Sequence, residues 1–210
     1  MTHSVKLVHI TPNAEELITY MARVSNPANQ SNTEASARLI KYLIDHKHWS
    51  PFEMVNMCVE IETTRSVAAQ ILRHRSFSFQ EFSQRYAEVT AEPVLPQLRR
   101  QDTKNRQNSV DDLDQSFVVG AEIAIQEHFD QAIDLYNDLL EAGVAKECAR
   151  DVLPLATPTR LYMNGTIRSW IHYCQLRCAN GTQKEHQNIA KGVWKLLEEH
   201  VPNVCVSLDV

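Results

Sequence analysis

Val55-Asn56-Met57-Cys58-Val59-Glu60-Ile61-Glu62-Thr63-Thr64-Arg65-Ser66-Val67-Ala68-Ala69-Gln70-Ile71-Leu72 holds the two periodicities from which the fold is read. In its first half Val55, Met57, Val59 and Ile61 alternate with Asn56, Cys58, Glu60 and Glu62. Successive side chains of a strand point to opposite faces, so this half predicts a strand with one buried and one more polar face. From Thr64 the period lengthens. Val67, Ala68, Ile71 and Leu72 fall on one helical face and predict a helix from Thr64 to about His74.

Upstream, Val5 to Ile10 reads as a short strand. Thr11-Pro12 predicts a helix start, with a capping hydroxyl and proline at the first helical position. Ala14, Leu17, Ile18, Met21 and Val24 continue it, and Asn26-Pro27 ends it. A second helix is predicted from about Thr33 to Lys47, followed by a turn at His48–Glu53. Downstream, Arg73 to Ser83 reads as a loop. The polar run from Pro93 to Ser109 predicts a mobile loop at 93–109. Val110 to about Ala142 is a long helix with Gly143 as its C-terminal cap. A short helix covers Ala145 to Leu153. Thr159 to Thr166 reads as a strand interrupted at Asn164-Gly165, and Ile167–Cys178 and Gln183–His200 as helices. The expected class is α+β: a single domain over residues 1–210, with long helices packed around a small mixed or antiparallel sheet.

The bulk properties narrow the function. A chain of 210 residues suits one domain, and 43% hydrophobic residues can build its core. The net charge of -5 speaks against an open nucleic-acid surface but leaves room for a local anion pocket. Five scattered cysteines without a secretory leader read as reduced intracellular thiols, and no apolar run is long enough for a membrane span. The expected location is cytoplasmic.

The chemistry concentrates in Arg73-His74-Arg75-Ser76-Phe77-Ser78-Phe79-Gln80-Glu81-Phe82-Ser83-Gln84-Arg85-Tyr86. Three basic side chains end a helix, then Glu, Ser and Arg follow on a loop. Arginine forks suit planar or phosphate-bearing ligands, and loop N–H groups with a hydroxyl suit an anion. The plainer reading is that Arg73, His74 and Arg75 only complement a helix dipole. The sequence clustering of His172, Cys174, Cys178 and His186 raises zinc, but there is no Cys-x-x-Cys pair. The basic residues Arg99, Arg100, Lys104 and Arg106 raise RNA binding, against which stand the acidic net charge and the simpler reading of a solvated loop. No G-x-G pattern is present, which argues against a Rossmann oxidoreductase.

Arg73-His74-Arg75, seven residues, then Ser83 resembles the signature of flavin-dependent thymidylate synthases. His48-Trp49-Ser50-Pro51-Phe52-Glu53 looks like that family's turn ahead of the signature. Glu147-Cys148-Ala149-Arg150-Asp151-Val152-Leu153-Pro154 and the run from Arg168 to Arg177 resemble its later segments, in the family's order. The resemblance implies reductive methylation of dUMP to dTMP, with 5,10-methylenetetrahydrofolate as carbon donor. It implies that NADPH reduces FAD and that the reduced flavin relays the methylene and then supplies hydride. It implies a dUMP site of Gln70, Arg73, Glu81, Phe82, Ser83, Gln84, Arg85, Arg150 and Arg177. It implies FAD contacts at Ser50, Arg73, His74, Arg75, Glu81, Thr166, Ile167, Arg168 and His172. It also implies a homotetramer with sites between subunits, and Arg177 as the catalytic residue. Gln80, Thr166 and His172 depart from the asparagine that many members carry. Cys174 lacks the Pro-Cys-Gln context of cysteine-dependent thymidylate synthases, and the resemblance implies that Arg177 activates the uracil instead. Arg168 and His172, at i and i+4, share a helix face and Arg177 does not.

Overall fold

The computed structural model describes residues 3–32 and 34–208. The predicted domain over 1–210 and the helix start near Thr33 extend to Met1, Thr2, Thr33, Asp209 and Val210, which lie outside the described residues. Among the described residues six strands and eight α-helices follow in chain order. They are β1 (Ser4–Ile10), α1 (Ala14–Ala22), α2 (Ser36–Asp45), β2 (Asn56–Thr64), α3 (Arg65–Ile71), β3 (Ser78–Glu81), β4 (Arg100–Gln101) and β5 (Ser109–Val110). Then come α4 (Gln115–Glu141), α5 (Lys146–Ala149), β6 (Pro158–Thr166), α6 (Ile167–Arg177), α7 (Lys184–His200) and α8 (Pro202–Val206). The α+β class read from the sequence is found.

Four strands form a sheet in the order β1-β2-β6-β3. Partners fall in number as the chain rises: Arg160 bonds Glu62, and two residues on Tyr162 bonds Glu60 at 2.9 Å, so β6 runs antiparallel to β2. The alternation predicted for β2 is observed. Met57, Val59, Ile61 and Thr63 are buried while Asn56, Cys58, Glu60 and Glu62 are half-buried. The chain divides into two compact units. One holds Glu62–Arg73 and Gln80–Leu161. The other holds Ser4–Ile61, His74–Phe79 and the chain from Tyr162 onward.

In the first unit α4 begins at Asp114, whose side chain accepts the N–H groups of Ser116 and Phe117, and ends before Gly143 at φ 83°. That left-handed cap is the one expected of glycine. Tyr136 packs with Val89 and Ala149, and its hydroxyl accepts the Val89 N–H at 3.1 Å. The polar stretch expected as a loop at 93–109 holds part of a small antiparallel hairpin, Arg100 opposite Val110 and Gln101 opposite Ser109. Arg100 forks onto Asp112 at 2.8 and 2.6 Å.

In the second unit Trp170, Tyr173, Phe52 and Ile171 build the core with Ile189, Val193 and Leu197 of α7. The Trp170 indole N–H donates to the Met57 carbonyl at 2.9 Å. Glu15 of α1 accepts the Asn203 and Val204 N–H groups that open α8.

Four local expectations are corrected. Thr11 does not cap α1. Its hydroxyl accepts the Asn56 N–H at 3.0 Å, and the helix starts after Asn13, at φ 51°. Helix α1 also stops at Ala22, ahead of Asn26-Pro27. The segment from Arg73 to Ser83 is not all loop, because Ser78–Glu81 forms β3 on the sheet edge. Strand β6 is continuous through Asn164-Gly165. Gly165 is required there by close approach: a Cβ would lie 2.4 Å from the Phe77 ring. β6 also passes into α6 without an intervening residue.

Candidate functional site

The residues singled out by the sequence fall into the two units. Gln70, Arg73, Glu81, Phe82, Ser83, Gln84, Arg85 and Arg150 belong to the first, and Ser50, His74, Arg75, Thr166, Ile167, Arg168, His172 and Arg177 to the second.

In the first unit the chain leaves β3 into one tight turn. The Phe82 N–H donates to the Arg160 carbonyl, and the Ser83 carbonyl accepts from Tyr86 and Ala87 at 3.1 and 3.0 Å. This fixes an exposed Ser83 on a short, ordered arc. Glu81 is pinned by the Arg65 guanidinium and by the Thr159 hydroxyl at 2.9 Å. Arg65 escaped the sequence reading. Only the pairing of β3 into the sheet, which spacing does not reveal, brings it to Glu81. Arg85 is ion-paired to Glu147 at 2.9 Å. Gln84 is buried, and its Nε2 has no hydrogen-bond partner among the described residues. A buried amide donor without an acceptor is costly unless a ligand supplies one. Gln70 sits on α3, Arg73 just beyond its end, and Arg150 is half-exposed with Asp151 4.0 Å away.

In the second unit Arg168 and His172 line one open cleft of about 470 Å3, together with Trp49, Glu53, Ser76 and Gln175. The i, i+4 face expected of them is therefore present. Glu53, from the turn at Ser50–Glu53, holds the Arg168 guanidinium. Thr166 is the N-cap of α6, its hydroxyl accepting the Ser169 N–H at 3.2 Å. Ile167 is buried, and its N–H donates to the Val55 carbonyl at 2.9 Å.

Arg177 ends α6 and donates from Nε to Nε2 of His74 at 2.9 Å. An imidazole nitrogen that accepts carries no proton, so His74 is neutral with its proton on Nδ1. Its pKa is lowered to about 4 by burial, then by the Arg177 charge and by His172. Next to it the buried His186 meets the Tyr173 hydroxyl at 3.1 Å. Its pKa is lowered to about 3 by burial and the same guanidinium. Neither Tyr173 nor His186 was singled out as a site residue. His186 stood out only as a sequence neighbour of Cys174 and Cys178. Two neutral imidazoles around one arginine leave Arg177 as the positive charge of this group, suited to an anion or an acidic N–H. The Cys174 thiol is no nucleophile. It is buried, contacts the Ala190 carbonyl at 3.8 Å, and is held well above the usual thiol range by Cys178 and by burial. All five cysteines are free. Among the described residues no helix is long and apolar enough to cross a membrane.

Residues 6–203 match the sequence model of the family described as thymidylate synthase complementing protein. A Paramecium bursaria Chlorella virus 1 protein named "Probable flavin-dependent thymidylate synthase" is 50% identical over 213 residues, covering 98% of this chain and 99% of that protein. The flavin-dependent thymidylate synthase of Synechocystis sp. is 52% identical over 195 residues, with 93% and 89% covered. Among solved structures, the UMP/dUMP methylase PolB from Streptomyces cacaoi, bound with 5-Br dUMP, aligns at a TM-score of 0.87 and 26% identity over 98% of this chain and 93% of that one.

Proposed function

Because the chain belongs to the thymidylate synthase complementing protein family, that of the flavin-dependent thymidylate synthases, we propose that it is the enzyme that methylates dUMP at carbon 5. The carbon donor is 5,10-methylenetetrahydrofolate and the electrons come from NADPH by way of FAD. The overall balance is dUMP, methylenetetrahydrofolate, NADPH and a proton going to dTMP, tetrahydrofolate and NADP+. The observation that carries the reading is Arg177: a guanidinium fixed at Nε by a neutral imidazole, on a helix whose Cys174 thiol is buried and held protonated.

Carbon 5 of uracil is a weak nucleophile, and electron density reaches it when N3 loses its proton. A cation against an acidic group lowers its pKa by ~1–3 units, worth about 1.4–4 kcal/mol. Arg177 supplies that cation. Its Nε is committed to His74, so the terminal N–H groups face the uracil edge in this assignment. Ser83, with Arg150, takes the phosphate. The Gln84 Nε2, without a partner among the described residues, supports placing a ligand acceptor beside that turn. Gln70, Arg73, Phe82 and Arg85 complete the dUMP pocket, and Glu81 serves both ligands.

The cleft on α6 fits a dinucleotide cofactor, with a guanidinium for a pyrophosphate, a serine and an imidazole for hydrogen bonds, and the Trp49 ring for stacking. Arg168 and His172 would hold FAD there, and Ser50, His74, Arg75 and Thr166 are the further contacts that this reading assigns to it. The chemistry that FAD supplies when bound is the transfer of NADPH electrons as hydride. This chain's residues orient the partners and hold the uracil in its N3-ionised form. In this proposal the 1–210 domain acts in the cytoplasm as a homotetramer, its sites shared between subunits, and the 93–109 segment moves as a loop.

The test is incubation of the purified protein with dUMP, methylenetetrahydrofolate and NADPH, with and without FAD, with UMP replacing dUMP in a parallel tube. Flavin-dependent dTMP with tetrahydrofolate as the folate product is expected. No dTMP from a folded protein that also fails to bind FAD overturns the reading.

A further inference from the structure

Helix α7 brings a buried histidine against the helix that carries Arg177. His186, in the first turn of α7, has no exposed surface, and its Nε2 lies 3.1 Å from the Tyr173 hydroxyl. Tyr173 is equally buried and meets the His74 ring edge-on, with 5.0 Å between centroids. The His186 ring stands perpendicular to His74 at 6.2 Å. His74 in turn accepts the Arg177 Nε–H. The next residue of α7, Gln187, donates its amide to the carbonyls of Cys178 and Ala179 at 3.0 and 3.3 Å. Two consecutive residues of α7 thus hold Tyr173, whose ring packs on the side-chain partner of Arg177, and the backbone just beyond Arg177.

Packing alone does not explain a histidine here. A phenylalanine would fill a similar volume without burying a polar ring. Burial and the Arg177 charge keep the imidazole neutral, at a pKa of about 3. What that neutral ring adds is a directional bond to a tyrosine hydroxyl, which burial keeps in its O–H form. Side-chain geometry at a reacting centre is held by such supporting bonds.

We propose that His186 is a positioning residue for Arg177: it fixes Tyr173 and, through that ring, His74, so that the guanidinium is presented in one orientation. The proposal rests on the assignment of Arg177 to uracil. It is tested on the full-length protein by 15N NMR of labelled histidines, alongside steady-state kinetics with dUMP. In the wild type His74 reports one tautomer, protonated at Nδ1. His186→Phe keeps the ring volume and removes the bond, and Tyr173→Phe removes it from the other side. In either variant His74 is expected to show mixed tautomers. kcat is expected to fall about tenfold, with a much smaller change in KM for dUMP. His186→Gln, which can still reach the hydroxyl, is expected to recover most of kcat.

A wild-type tautomer and kcat in His186→Phe, with dTMP formation lost in Arg177→Ala, overturn the positioning role and leave the function standing. An inactive wild type overturns the function, and an unchanged His74 tautomer in the variants then removes the relay as well. Should His186→Phe fail to fold, Tyr173→Phe decides by the same two readouts.

Discussion

Arg177 is the residue on which the proposed chemistry turns. Its Nε is occupied by His74, so truncation removes the cation and leaves the imidazole without its donor. Arg177→Ala is expected to give folded protein that still binds FAD and makes dTMP ~100- to 1,000-fold more slowly, the loss typical of a fixed electrostatic group. Near-normal turnover would remove Arg177 from the mechanism. Ser83 is argued differently. It sits on an exposed arc whose order comes from its own backbone carbonyl. Ser83→Ala should weaken dUMP binding about tenfold, roughly the worth of one hydrogen bond to a charged group, and leave FAD affinity unchanged. Calorimetric titration with each ligand separates the two. An unaltered dUMP affinity speaks against the phosphate role.

At the scale of elements, the close pairs depend on small residues in exact register. Gly165 lies under the Phe77 ring, and a methyl group there would meet the ring at 2.4 Å. Gly165→Ala is expected to lower the unfolding free energy by ~1–3 kcal/mol. Phe77→Ala in the same chain should recover part of it, as a double-mutant cycle in urea will show. The same strand illustrates what the sequence could and could not disclose. Strand β2, the Gly143 cap of α4 and the shared face of Arg168 and His172 follow from spacing and local chemistry, so they were legible. Strand β3 was not. Ser78–Glu81 has no alternation long enough to register, and it becomes a strand only by pairing with β6. Gly165 looked like a breaker because its ring neighbour lies far along the chain. The contact of His74 with Arg177 spans 103 positions, which no periodicity encodes.

At the scale of the whole molecule, two neutral histidines, His74 half-buried and His186 buried, couple folding to pH. The pKa of His74 is lowered to about 4 and that of His186 to about 3, against 6.5 when unfolded. Between these values the unfolded chain binds more protons than the folded one, so stability rises with pH. The contribution is complete above about pH 6.5 and is lost as pH falls through 4 and then 3. Urea midpoints measured from pH 7 down to 4.5 should therefore decline, and His186→Phe should decline less steeply. Parallel slopes for the two proteins would mean that His186 takes up its proton over the same pH range folded and unfolded.

The direct passage of β6 into α6 has a consequence for inheritance. Where a loop joins two elements, a gene can gain or lose a codon and the slack absorbs it. Between Thr166 and Ile167 there is no slack. One added residue would rotate the helix by about 100° and swing Arg168 and His172 off their cleft together. Length variation among descendants of this gene should therefore collect elsewhere, as in the polar run around the β4–β5 hairpin, and spare this junction.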